Sequence, residues 1–113
     1  MDSNFTDIIY QIHKKIINLK NKSEYIKSKF NNNNLLVNED KLNALLDLIK
    51  YINLLNDKLD DVKNIVLETT DNNNLSADEK EILRNNKINK LVSEKFMPYI
   101  IYATICLQSS ENL

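Results

Sequence analysis

From Phe5 to Phe30 the chain repeats apolar residues at alternating steps of four and three: Phe5, Ile9, Ile12, Ile16, Leu19, Ser23, Ile26 and Phe30, with Ser23 the one polar member. A spacing that averages 3.5 residues keeps one stripe of a helix against a neighbouring helix along its whole length. A second seam follows at Leu45, Leu48, Ile52, Leu55, Leu59, Val62 and Val66. Two long seams in a chain of 113 residues leave little room for anything but helices packed side by side.

The elements follow from their start and stop signals. Helix one is expected over 3–30, with Asp2, Ser3 or Asn4 as the cap and Asp7 near the positive end of the dipole. The run Asn31 to Asn34 should end it, because asparagine competes for backbone hydrogen bonds. Helix two is expected over 38–70, capped by Asn38, with Val37 and Leu42 placed as a hydrophobic staple. Helix three, 76–97, opens on Ser76-Ala77-Asp78-Glu79, a capping box in which Ser76 and Glu79 satisfy each other's backbone donors.

Pro98 then interrupts the pattern, since proline inside a helix costs about 3 kcal/mol. A short apolar helix over 98–108 completes the chain. The fold class is therefore all-α: an elongated antiparallel three-helix bundle, or coiled-coil hairpin, in one helical domain, with the third helix broken near Pro98. Helix two should be central, because its apolar surface spreads to Leu42, Leu46, Ile49, Leu54 and Ile65.

Composition narrows the function classes. The chain has no glycine, so a glycine-rich phosphate loop is excluded. A net charge of −1 gives no bulk attraction for nucleic acid. That charge is unevenly spread: residues 1–30 carry +3 and residues 35–71 carry −4, which favours pairing of those two helices. Asparagine, isoleucine and lysine abound against a single arginine, a bias toward A/T-rich codons that reports the genome more than the function. No secretory leader is visible, the one cysteine cannot form an internal disulfide, and the sequon at Asn21 falls inside helix one. The longest uncharged stretch is too short to span a bilayer. These features read as a soluble intracellular chain, cytoplasmic or nuclear, or a virion component, and not a transmembrane one.

No catalytic, cofactor-binding or metal-ligating set emerges. His13 is the only histidine, so neither a multi-histidine metal site nor a Ser-His-Asp relay can be drawn. Cys106 sits between Ile105 and Leu107, an environment for an inert thiol. Asp47, Asp57, Asp60, Asp61 and Glu68 fall off the helix-two seam and read as a solvated face.

Two features carry functional expectations. Phe96, Tyr99, Ile101, Tyr102 and Ile105 belong to a stretch apolar on nearly every side, more than a slender bundle can enclose, and are expected to bind a partner or a second copy. Lys15, Lys20, Lys22, Lys27 and Lys29 flank the helix-one seam as a basic strip. The reading is a non-enzymatic helical interaction and scaffold subunit of a larger intracellular or virion assembly. The alternative is a basic-helix binder of nucleic acid or anionic membrane, nucleic acid being disfavoured by the scarcity of arginine.

Overall fold

The computed structural model describes residues 4–32 and 39–111. Among them α1 spans Asn4–Asn32, α2 spans Glu39–Thr70, α3 spans Ala77–Leu91 and α4 spans Met97–Glu111, with a π-helical turn at Val92–Phe96 joining the last two. The expected cap Asn38, the staple residue Val37 and the caps Asp2 and Ser3 lie outside the described residues. Helix α1 continues through Asn31 and Asn32, two residues past the expected end at Phe30.

The bundle is a rod with extents of 62 × 20 × 18 Å. Helix α2 contacts α1, α3, the π turn and α4, most extensively α4. Both heptad seams face inward, that of α1 from Ile9 onward, the Phe5 side chain lying outside what is described. Ile12, Ile16, Leu19, Ser23 and Ile26 of α1 are buried, as are Leu45, Leu48, Ile52, Leu55 and Val62 of α2. Ile9, Phe30, Leu59 and Val66 pack partly buried against that core. Ser23 needs no partner across the seam, because its hydroxyl donates to the Lys20 carbonyl at 2.7 Å. Leu46, counted in the apolar surface that should make helix two central, instead faces solvent and is 55% exposed.

The α2–α3 corner is held by side-chain caps. Ser76 Oγ accepts from the Glu79 N–H at 3.1 Å, while the Ser76 N–H donates to Glu79 Oε1 at 2.9 Å. Asp71 N–H closes the end of α2 on the Leu67 carbonyl, and Lys80 Nζ reaches the Thr70 carbonyl at 2.8 Å. The corner turns the chain back so that α3 and α4 run antiparallel to α2.

Pro98 disturbs the third helix without stopping it. The irregularity falls one turn earlier, at Val92–Phe96, where the Met97 N–H bonds to the Val92 carbonyl five residues back. Proline's ring would collide with the carbonyl four residues before it in an unbroken α-helix. Inserting one residue into the preceding turn shifts that carbonyl aside, the usual origin of a local kink. The helix therefore continues through Pro98 to Glu111, past the expected end at residue 108.

Candidate interaction surface

Helix α4 has no charged residue between Met97 and Ser110, so its orientation is set by packing alone. Ile100, Ala103, Leu107 and Ser110 turn inward and are buried. The opposite side holds Met97, Ile101 and Ile105 at steps of four, 41%, 53% and 54% exposed. Residues at that spacing stack along one face, so the three make a continuous apolar ridge pointing at solvent.

Beside the ridge Tyr102, about half-exposed, leans on Tyr51 of α2 with ring centroids 5.6 Å apart. Tyr99 packs on the same Tyr51 ring at 6.0 Å and is half-buried. Tilted aromatic pairs at such distances are favourable beyond their area. They fix α4 against α2 and set the angle at which the ridge is presented. Thr104 and Ser110 return their hydroxyls to the Ile100 and Leu107 carbonyls, so neither hydroxyl is left wanting.

Of the five residues expected to meet a partner, the structure gathers four on or beside this face. Phe96 is the correction: it is fully buried and belongs to the core of the bundle. It stands one four-residue step before Ile100, on the same buried face as Ala103 and Leu107. Met97 takes its place on the exposed ridge. A four-residue step from Ile101 back to Met97 is the signal that would have found it.

The basic strip lies elsewhere. Lys15, Lys20, Lys22, Lys27 and Lys29 are all exposed on α1. Lys29 Nζ stands 4.7 Å from the Tyr25 ring centroid, and Lys14 Nζ stands 5.4 Å from that of Tyr10. The acids of α2 do not converge: Asp61 pairs with Lys58 at 3.5 Å, and Glu68 reaches Lys87 of α3 at 3.9 Å. Among the described residues no group of three His, Cys, Asp or Glu side chains is placed to hold a metal ion. Likewise, no helix is long and apolar enough to cross a membrane. Burial, and then the negative charge of Asp47, push the Cys106 thiol above its ordinary value. A thiol so shifted stays protonated at neutral pH and is a poor nucleophile. A shallow depression between α2 and the end of α3 with the π turn is lined by Ile65, Lys87, Lys90, Leu91, Glu94 and Lys95. It has no buried polar group to orient a small molecule.

Comparison with protein-family models, with curated proteins and with solved structures finds no match to this chain.

Proposed function

We propose that the chain is a non-enzymatic helical interaction subunit of a larger intracellular or virion assembly, and that a helix of another chain lies along the α4 ridge. The observation that carries this reading is the row Met97, Ile101 and Ile105, exposed on a helix that bears no charge across that face. Each side chain is already about half-buried, so covering the rest would recover roughly 1 kcal/mol apiece. A helix partner suits the shape, since a straight ridge with four-residue steps seats in the groove of a second helix. Tyr51, Tyr99 and Tyr102 support it from behind, which lowers the ordering cost of binding. A single cysteine, with no partner for an internal disulfide, suits a reducing compartment.

Replacing Ile101 by a photo-reactive amino acid in the protein's own cells tests the reading. Crosslinks from Ile101 to an apolar helix face of another polypeptide are expected, with none from the same probe at Lys63 on the exposed side of α2. Equal labelling from both positions, or none from either, would contradict it.

A further inference from the structure

The outward side of α1 carries a second stripe that the bundle does not use. Tyr10 is 59% exposed, Ile17 47% and Tyr25 63%. At 100° per residue these three fall within an ~80° sector, on the side of α1 opposite the buried seam. Lys20 and Lys27 flank the stripe on one side and Lys22 and Lys29 on the other, all exposed. Over Asn4–Asn32 six lysines stand against two acids, Asp7 and Glu24. None of those lysines enters an ion pair among the described residues.

This arrangement discriminates among basic-surface ligands. A partner helix would need apolar residues at both seam positions of each heptad, yet Lys14, Asn21 and Ser28 occupy the alternate ones here. Bidentate base and phosphate recognition in nucleic acid favours arginine forks. The only one, Arg84, is on α3, with its guanidinium on Thr69 and Thr70. What remains is a helix face with sparse apolar contacts, Tyr10 and Tyr25 toward its two ends and lysines along both flanks. Asp7 lies inside the sector and Glu24 at its edge, the only acids of α1. Tyrosine rings favour the headgroup level of a bilayer, and lysines reach past apolar surface to anionic lipid.

The geometry points to the outer face of α1 as a docking surface for an anionic lipid membrane, held in the plane of the interface by Tyr10, Ile17 and Tyr25 and by the lysines beside them. Its α4 ridge would remain available to a protein partner, so the two sites are separately testable. Electrostatics dominate such a contact, each lysine near an anionic surface changing binding by roughly fivefold.

Co-sedimentation of the full chain with vesicles of equimolar phosphatidylserine and phosphatidylcholine tests the proposal. Binding is expected to the mixed vesicles and not to pure phosphatidylcholine, and to fall as salt is added. Lys22→Gln with Lys29→Gln should weaken it about 25-fold, while Lys63→Gln on α2 leaves it unchanged. Tyr10→Ser with Tyr25→Ser should weaken it at constant charge. The chain has no tryptophan, so a Tyr25→Trp variant reports contact by a blue shift of its emission on mixed vesicles. Equal binding to neutral vesicles, indifference to the lysine pair, or binding of polyglutamate or single-stranded RNA in place of the vesicles would overturn the proposal.

Discussion

Arg84, the only arginine of the chain, donates through Nε to Thr69 Oγ1 at 3.0 Å, fifteen residues back across the α2–α3 corner. Thr69 is 1% exposed, and its hydroxyl donates in turn to the Ile65 carbonyl at 2.8 Å. The guanidinium also reaches Thr70 through Nη2 at 3.1 Å, so one side chain ties the last turn of α2 to the middle of α3. Arg84→Lys cannot reproduce a two-point contact. Because the pair is only partly buried, Arg84→Ala should cost about 1 kcal/mol. Thr69→Val should cost less in the Arg84→Ala background than in the wild type, a non-additivity that a double-mutant cycle by urea unfolding would measure. Additive losses would mean the contact contributes nothing.

Ile16 and Lys14 stand two residues apart on α1 with opposite exposures, Ile16 at 1% and Lys14 exposed. Ile16→Asp places an unpaired charge between α1 and α2 and should cost more than about 3 kcal/mol. Lys14→Asp loses the cation over the Tyr10 ring and should change stability by less than about 1 kcal/mol. Thermal melts followed by circular dichroism separate the two. Equal melting would mean that the seam is not the interior of the molecule.

The start of α3 gives a pH dependence with a definite sign. The Ser76 backbone N–H, and then its hydroxyl, hold the Glu79 carboxyl below its ordinary value of 4.5. A carboxyl depressed in the folded state adds stability that is fully present above its ordinary pKa and is lost as pH falls through the folded one. Helix α3 should therefore lose stability as pH is lowered from about 5 toward 3, and Glu79→Gln should flatten that part of the dependence. Hydrogen exchange of the α3 amides is the measurement, since global unfolding mixes in every other carboxylate. An unchanged slope in Glu79→Gln would contradict the assignment.

Much of this fold is legible in the residue order, and the exceptions have physical causes. The two seams mark the buried faces of α1 and α2 because each is a narrow apolar stripe on an otherwise polar helix. The Ser76 and Glu79 pair marks the start of α3 because capping is local chemistry. Helix α4 is different: with apolar residues on every side, its spacing cannot say which face packs on α2 and which is left to solvent. Tertiary contacts decide that, and they put Phe96 inside and Met97 outside. Pro98 announces an irregularity in the third helix, but its position depends on where the backbone relieves the proline ring, five residues wide at Val92–Phe96. The outer stripe of α1 was present in the spacing of Tyr10, Ile17 and Tyr25, masked by the stronger seam on the other side of the same helix.

The most direct test of the α4 ridge is the mass of the protein isolated from its own cells, by light scattering, as wild type and as Ile101→Ser with Ile105→Ser. Both isoleucines are more than half exposed, so the serines should leave helicity and melting temperature nearly unchanged. A wild-type particle heavier than the 13.2 kDa chain and a folded double variant at that mass are expected. A wild type already at 13.2 kDa and indistinguishable from the variant would contradict a partner on the α4 ridge, as would a variant that loses its helices.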